Sequence, residues 1–241
     1  MNSFRRVWLI VGYYLSWLLF GLGGLALNLV CAPLLLLPRR ERFGPWARRA
    51  TRRMFDLWLR WMHTSGIIEV TFKGFDQPQP PGVVYAANHP SLTDATFLLG
   101  RLPDTVCIFK PALMRNPCIA PAALLAGYVS GAAGVDGIRR AADCVAAGCS
   151  LLIFPEGTRT LPGVSLNPLK PGFVLIARRS HAPIRLIHIR ASPSLGRKGH
   201  PWWRVPPLPG RFEFTLGELI ASDNPQSNAA LTDHVAAALR T

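Results

Sequence analysis

The chain has 241 residues, of which 49% are hydrophobic, and it carries a formal net charge of +14. This length suits one α/β domain with an appended segment, and a mean hydropathy of +0.22 points to a membrane segment. A charge of this sign fits nucleic acid, anionic lipid or an acidic protein as partner. No aromatic and glycine signature of nucleic-acid binding accompanies the basic residues, so we predict no nucleic-acid partner.

Residues 7–37 form an almost unbroken apolar stretch between two pairs of arginines. It is longer than the ~20 residues of one helical span and longer than the ~7–15-residue apolar core of a cleaved signal peptide. Two alternatives fit: a single tilted transmembrane span, or a helical hairpin or re-entrant dip bent at Gly21–Gly24 and at Pro33. Ten arginines and two acidic residues in residues 1–63 predict contact with a phospholipid surface. They also place the rest of the chain on the cytoplasmic side of the inner membrane.

Residues 45–63 interleave arginines with tryptophan, leucine and methionine. This composition is typical of a helix lying in a membrane interface, and an ordinary core-facing amphipathic helix is the alternative. We therefore expect residues 1–65 to associate with the membrane and residues 66–241 to form a catalytic domain.

From residue 67 onward, short β-rich runs alternate with helical patterns. The predicted strands are Ile67–Phe72, Val83–Ala87, Thr105–Phe109, Leu151–Phe154, Ile184–Arg190 and Phe212–Leu216. The predicted helices are Thr93–Gly100, Ala120–Ala126, Ile138–Ala147, Pro171–Ser180 and Ala229–Arg240. This alternation predicts an α/β fold with a mostly parallel central sheet flanked by helices.

Two polar segments follow predicted strands. The heptapeptide Asn88–Asp94 stands at a strand-to-helix turn, where open α/β sheets gather their chemistry. If Asp94 holds one imidazole nitrogen of His89, the other nitrogen is free to act as a base. A helix cap or a satisfied polar pair is the alternative, and Ser91 is expected to cap the helix. The second segment, Phe154–Arg159, lies 65 residues further on.

The cysteines and the remaining histidines show no ligand spacing. The five cysteines are Cys31, Cys107, Cys118, Cys144 and Cys149. Without a paired framework they predict reduced, mostly buried thiols. No histidine pair has the spacing of zinc ligands, so we predict no metal site.

Together, Asn88–Asp94 and Phe154–Thr160 resemble two motifs of the glycerolipid acyltransferases, in particular the lysophosphatidate (1-acyl-glycerol-3-phosphate) type. The segments Lys170–Gly172 and His181–Ile187 extend this resemblance over further family blocks. It implies the glycerolipid-acyltransferase fold. It also implies transfer of a fatty acyl group from acyl-CoA or acyl carrier protein to a hydroxyl of a lysophospholipid, for phospholipid biosynthesis. The acyl donor is a substrate, and no further cofactor is implied.

The resemblance assigns roles to individual residues. His89 is the catalytic base and Asp94 its orienting partner. The substrate-binding residues are Glu156, Gly157, Thr158, Arg159 and Lys110. Arg159 corresponds to a phosphate-binding arginine, which suits the bidentate geometry of a guanidinium. A loop-stabilising ion pair between Glu156 and Arg159, and a plain surface role for Lys110, are the alternatives.

One segment departs from the family pattern, because Gly127–Gly134 lacks the arginine of the second family motif. This departure leaves the first two of the following alternatives open beside transfer to lysophosphatidate, and the third is open independently of it. The first is an acyltransferase of an aryl-polyene-type lipid pathway, which Lys110–Pro117 and Trp202–Pro206 also resemble. The second is a non-catalytic lipid- or carrier-binding homologue. The third is a membrane-tethered hydrolase that uses His89 and a serine.

Overall fold

Seven strands form one mixed sheet in the computed structural model, which describes residues 3–193 and 195–240. The strands are β1 (Ile68–Lys73), β2 (Val84–Ala87), β3 (Thr105–Phe109), β4 (Val129–Ser130), β5 (Ser150–Ile153), β6 (Ile184–Ala191) and β7 (Gly210–Ile220). Their order across the sheet is β1-β7-β6-β2-β5-β3-β4. Strands β6, β2, β5, β3 and β4 are parallel, whereas β7 runs antiparallel to β6 and parallel to β1. The predicted mostly parallel α/β sheet is confirmed.

Seven α-helices accompany the sheet in the described residues. They are α1 (Ser3–Leu34), α2 (Gly44–Thr64), α3 (Asp94–Arg101), α4 (Ala120–Leu125), α5 (Gly134–Ala146), α6 (Gly172–Ser180) and α7 (Asn228–Leu239). Short 3₁₀ helices lie at Arg40–Phe43 and Pro111–Arg115. Every predicted helix is present, with ends shifted by up to four residues, because propensity and periodicity define element ends poorly.

The central strands send alternate side chains to two separate cores. On β2, Val84 and Ala86 pack with residues of α5, α6 and α7. Their neighbours Tyr85 and Ala87 pack on the opposite face with residues of α2 and α3. Since successive strand residues point to opposite faces, a strand that is apolar throughout is buried on both sides. The result is a three-layer arrangement of helices, sheet and helices.

The apolar N-terminal stretch forms one helix, α1, that continues through all the glycines. The hairpin bent at Gly21–Gly24 is therefore wrong. A Cβ at Gly24 would lie 2.5 Å from the backbone oxygen of Cys118, so this glycine allows α1 to approach the segment before α4. Asn28 fixes the same region, because its side-chain oxygen accepts a 2.7 Å hydrogen bond from the Ala122 amide.

α1 is the one described helix that is long and apolar enough to cross a membrane, judged by length and composition. One side of it is buried against the protein, at Tyr13, Ser16, Asn28 and Cys31 among others. The Ser16 carbonyl accepts a 2.7 Å hydrogen bond from the indole of Trp58 on α2. The boundary at residue 65 between a membrane-associating part and a catalytic domain stays a prediction.

The prediction that all cysteines are free is wrong for one pair. Cys144, near the end of α5, and Cys149, just before β5, form a disulfide. The turn between these elements brings their Cα atoms to 5.8 Å, a separation that a disulfide can bridge. Among the described residues, Cys31, Cys107 and Cys118 are free, and the first two are buried as predicted.

Candidate active site

Four neighbouring parallel strands bring the predicted site residues to one edge of the sheet. In the order β6-β2-β5-β3, these strands end at Ala191, Ala87, Ile153 and Phe109. His89, Lys110 and Arg159 each follow one of these ends within six residues. Because the carboxyl ends of parallel strands open onto a shared crevice, segments far apart in the sequence meet there.

His89 and Asp94 form a hydrogen-bonded pair. Nδ1 of His89 lies 2.9 Å from Oδ2 of Asp94. The same oxygen accepts a 2.7 Å hydrogen bond from the Ser91 amide, so the turn itself holds the carboxylate. An ionised carboxylate can only accept, which places the proton on Nδ1 and leaves Nε2 without one. This arrangement suits an imidazole that removes a proton from a substrate.

Asp94 is fully buried, with no exposed side-chain surface. Burial raises the pKa of its carboxyl group, while the hydrogen bonds from His89 and the Ser91 amide oppose the increase. Its second oxygen, Oδ1, has no hydrogen-bond partner among the described residues. A carboxylate that is poorly solvated in this way is a strong hydrogen-bond acceptor, so its bond to the imidazole is favoured.

Glu156 joins the two sequence motifs. It is 3% exposed, and its Oε1 accepts hydrogen bonds from the His89 amide and the Thr160 hydroxyl, both at 2.8 Å. Its Oε2 accepts a 2.9 Å hydrogen bond from the Asn167 amide. The Thr160 amide also donates to the His89 carbonyl at 2.8 Å. The carboxylate thus holds His89 and the following loop in place, which agrees with a role in shaping the pocket.

Positive charges gather next to the dyad. Lys110 is close enough to Arg159 and Lys198 for their charges to act on it: partial desolvation of its ammonium group, together with these two charges, lowers its pKa. Lys170 extends over Gly157, since a Cβ on this glycine would lie 3.0 Å from the lysine Nζ. Gly157 also has a φ of +66°, which favours glycine. Such a cluster suits a phosphate group.

Arg159 is held by its backbone and by its side chain. Its carbonyl accepts a 3.2 Å hydrogen bond from the Asn167 amide group, and its guanidinium donates to the Gly196 carbonyl. Within the described residues it makes no ion pair with Glu156. The alternative of a loop-stabilising ion pair is therefore wrong. Thr158 lies half-buried between Gly157 and Arg159.

The serine nearest to His89 does not cap the helix. Ser91 is completely buried, and its hydroxyl donates to the Leu195 carbonyl at 2.6 Å. Helix α3 starts at Asp94 after Thr93, and no side chain caps it. The prediction for Ser91 is therefore wrong: its oxygen accepts a 3.2 Å hydrogen bond from the Thr93 amide, in the turn before the helix, while its proton is donated to the distant Leu195 carbonyl.

A cavity of about 680 Å³ opens beside the dyad. The chain neighbours of His89, Asn88 and Pro90, line part of it. The rest is lined by most of residues 160–165, which follow Arg159, by the end of β6, and by part of the segment after β6 that does not include Trp202 or Trp203. These lining residues are Thr160, Leu161, Gly163, Val164, Ser165, Ile189, Ala191, Ser192, Pro193, Gly196, Arg197, His200, Pro201 and Arg204–Pro207. Phe154 stacks on the imidazole with ring centroids 4.1 Å apart, which limits how the ring can turn. The His89–Asp94 pair thus adjoins a space in the size range of small-molecule binding sites.

Sequence reasoning missed several residues of this site. Asn88 exchanges two hydrogen bonds with the Ile189 backbone, at 2.9 and 2.7 Å, and so ties the motif to β6. Asn167 and Lys198 lie in segments without a motif, and only the positive charge of Lys198 could have marked it. Among the described residues, no group of three or more His, Cys, Asp or Glu side chains could hold a metal ion.

Residues 69–189, half of the chain, match the family model described as Acyltransferase. Both motifs of the site lie within this match. The chain therefore belongs to the acyltransferase family.

Named relatives agree with this membership. A 1-acyl-sn-glycerol-3-phosphate acyltransferase of Limnanthes douglasii is 33% identical over 133 residues, which cover 52% of this chain and 46% of that protein. Another from Cocos nucifera is 34% identical over 108 residues, covering 42% of this chain and 35% of that protein. The chain spans about half the length, or less, of these curated relatives.

A solved structure shares the fold. The crystal structure of the 1-acyl-sn-glycerophosphate (LPA) acyltransferase, PlsC, from Thermotoga maritima superposes with a TM-score of 0.75 at 23% identity. The similarity covers 100% of this chain and 95% of that one. The fold predicted from the resemblance is confirmed along the whole chain.

Proposed function

We propose that the protein transfers a fatty acyl group from a thioester, acyl-CoA or acyl carrier protein, to the free hydroxyl of 1-acyl-glycerol-3-phosphate. One observation carries the proposal: the His89–Asp94 pair at 2.9 Å is hydrogen-bonded, through the backbone of His89, to Glu156 and Thr160 of the loop that carries Arg159, whose charge acts on Lys110. A base next to a phosphate site is what an acceptor with a hydroxyl and a phosphate monoester requires.

The reaction needs one proton to move twice. Nε2 of His89 takes the proton of the acceptor hydroxyl while the oxygen attacks the thioester carbonyl. The tetrahedral intermediate then breaks its carbon–sulfur bond, and the imidazolium returns the proton to the leaving thiolate. Asp94 stays ionised and stabilises the positive imidazolium. A positioned base of this kind contributes about 10²–10⁴ in rate.

Substrate binding is supported by the charges around the pocket. The guanidinium of Arg159 and the ammonium groups of Lys110 and Lys170 are donors that match the phosphate of the acceptor. Glu156 keeps the backbone of both motifs in register, so that the base and the phosphate ligands face one substrate. No metal or further cofactor is part of the proposal.

The net charge of +14 also suits an acidic acyl carrier protein as donor. Electrostatic steering of this kind weakens as salt screens the charges. We therefore expect the rate with acyl carrier protein to fall between low and high ionic strength more steeply than the rate with acyl-CoA.

Membrane association through α1 completes the proposal. The helix is attached to the rest of the chain near both ends, by Tyr13 and by Asn28. A span perpendicular to the bilayer would draw this attached protein into the hydrocarbon. We therefore infer that α1 lies along one membrane interface with its exposed apolar side in lipid, and that the active site faces the cytoplasm.

An assay with purified protein tests the reaction. Radiolabelled acyl-CoA and acyl carrier protein are each offered with lysophosphatidate and with lysolipids that lack a phosphate monoester. We expect product with lysophosphatidate, and loss of product in His89→Ala but not in His63→Ala, an exposed histidine of α2. Formation of product by purified His89→Ala would contradict the mechanism. If the wild type forms no product with any of the acceptors offered, the proposed activity is contradicted.

The burial of Ser91 argues against a serine hydrolase built on His89. The hydroxyl is bonded to the Leu195 carbonyl and is closed off from the cavity, so it cannot act as a nucleophile in this arrangement. A fluorophosphonate probe should consequently leave Ser91 unlabelled.

A further inference from the structure

Two tryptophans lie exposed beside α1 on a proline-rich loop, residues 197–207, that we call the tryptophan loop. Trp202 is 47% exposed and Trp203 is 60% exposed. Their backbone carbonyls accept hydrogen bonds from hydroxyl groups of α1, Trp202 from Tyr13 and Trp203 from Tyr14 at 3.0 Å. The loop is thus attached to the N-terminal half of the helix.

The exposed indoles continue an apolar surface of α1. In this half of the helix, large apolar side chains that point to solvent recur every three or four residues: Val7, Val11, Tyr14 and Leu18. This spacing places them on one helix face. The ring of Trp202 lies 5.5 Å from that of Trp17, so helix and loop form one continuous surface. A contiguous apolar patch of this kind marks an interaction site.

The charges around the patch indicate its partner. Between residues 195 and 210 the chain has Arg197, Lys198 and Arg204 and no acidic residue. Indole rings concentrate at the boundary between lipid and water, and basic residues beside them bind anionic head groups. An acidic protein would match the charges, but burial of a stripe of aliphatic side chains would contribute less to its binding free energy than to that of a bilayer. The combination therefore favours an anionic bilayer.

We propose that the tryptophan loop inserts Trp202 and Trp203 into the interface of an anionic bilayer and so opens the cavity beside His89 towards the membrane. The same loop also lines the cavity, through Pro201, Arg204 and Val205 among others, so the exposed Arg204 borders both the patch and the cavity. A lipid acceptor then enters the cavity directly from the bilayer. This last step rests on the proposed function, whereas the insertion of the loop does not.

Vesicle binding tests the insertion without any assay of activity. Wild type, Trp203→Ser and the double variant Trp202→Ser/Trp203→Ser are mixed with vesicles of phosphatidylcholine and phosphatidylglycerol, with or without bromine on the acyl chains. Only side chains change, so the carbonyls of both positions can still accept their hydrogen bonds. We expect bromine quenching to fall in Trp203→Ser, and vesicle affinity to fall about tenfold or more in the double variant.

Val135→Ser is the matched control, since Val135 is 64% exposed on α5, in the opposite helix layer. It should bind vesicles like the wild type. Unchanged quenching in Trp203→Ser, or equal losses in the control, would overturn the proposal. Loss of binding to acyl carrier protein instead of vesicles would overturn it as well, because the loop would then be a protein-docking surface.

Kinetics test the delivery of the acceptor. Turnover is compared for lysophosphatidate embedded in vesicles and for a short-chain lysophosphatidate dissolved as monomer. We expect the double variant to lose rate with the vesicles and to keep the wild-type rate with the monomer. Equal losses with both would refute delivery from the bilayer. If wild type acylates neither acceptor, the proposed function fails, and the quenching experiment still decides the insertion.

Discussion

Replacement of Asp94 by asparagine removes the charge of the dyad and keeps its shape. Oδ2 of Asp94 accepts from His89 at 2.9 Å and from the Ser91 amide at 2.7 Å, whereas Oδ1 has no partner among the described residues. In the variant, the amide oxygen can occupy the position of Oδ2, so both donors keep an acceptor. What disappears is the negative charge that would stabilise the imidazolium in the proposed acyl transfer.

The size of the effect follows from this loss. In a serine protease, where an aspartate orients a histidine in the same way, this substitution lowers kcat by about 10⁴ because it favours the wrong imidazole tautomer, which gives an upper bound for the loss of the charge alone. Since the whole contribution of an imidazole base is about 10²–10⁴, we expect Asp94→Asn to lower kcat by roughly that factor. The KM for the acceptor should stay unchanged, because neither atom of the carboxylate is a predicted phosphate ligand.

A measurement of thermal stability distinguishes a loss of catalysis in Asp94→Asn from misfolding of the variant. Because burial raises the pKa of Asp94, the ionised carboxylate costs folding free energy at pH values above that raised pKa. Asparagine removes this cost and introduces an unpaired buried amino group, which costs about 1–3 kcal/mol. The two changes oppose each other, so the melting temperature at neutral pH should stay near that of the wild type.

The assay measures initial rates for wild type, Asp94→Asn, His89→Ala and the double variant, with thermal unfolding in parallel. If Asp94 acts only through His89, the second substitution adds nothing to the loss in His89→Ala. A kcat reduced by less than about tenfold, or two losses that multiply in the double variant, would refute the reasoning.

Further predictions concern the pocket and the thiols. Arg159→Lys should raise the KM for lysophosphatidate about tenfold, the loss of one charge-assisted hydrogen bond, with little change in kcat; an unchanged KM would remove Arg159 from the phosphate site. Glu156→Gln presents an amino group to backbone donors, and we expect it to lower stability by about 2 kcal/mol, or roughly 4–8 °C in melting temperature, which calorimetry would measure. The pKa of Lys110 is lowered, so its ammonium loses its proton earlier as pH rises; the acceptor KM should start to increase below the usual lysine range, and Lys110→Arg should abolish that increase. Burial raises the pKa of Cys107 to about 12, so a thiol reagent should label Cys118 in the native protein and reach Cys107 only after unfolding.

The sequence predicted the dyad and the sheet because both depend on local patterns. An apolar strand, a turn and a helix are recognisable from neighbouring residues. The position of His89 just after β2 therefore follows from the local sequence and does not depend on tertiary contacts. Arg159 follows β5 by the same logic. Their meeting at one edge then follows from the parallel order of the strands.

Strand β7 shows why other features could not be predicted. Gly217 suggests that the strand ends near Leu216, yet β7 continues to Ile220. A Cβ at Gly217 would lie 2.5 Å from the ring of His188 on the neighbouring β6. The glycine therefore makes room for a cross-strand side chain, and this contact depends on the tertiary fold.

The same reason applies to the remaining differences. Ser91 bonds to Leu195, Gly24 approaches Cys118, and the turn after α5 joins Cys144 to Cys149. None of these contacts leaves a signature in the sequence, because each depends on where a separate segment packs.

The attachment of α1 by Tyr13 and Asn28 at opposite parts of its length has a consequence for the membrane itself. If α1 lies in one leaflet, as proposed, it cannot rotate away from the attached protein, and the crevice beside His89 would open to that leaflet alone. Under the proposed activity, each newly acylated lipid would be released into the same monolayer that supplied its precursor. Growth would be one-sided, and equalising the two monolayers would fall to a separate lipid-translocating protein.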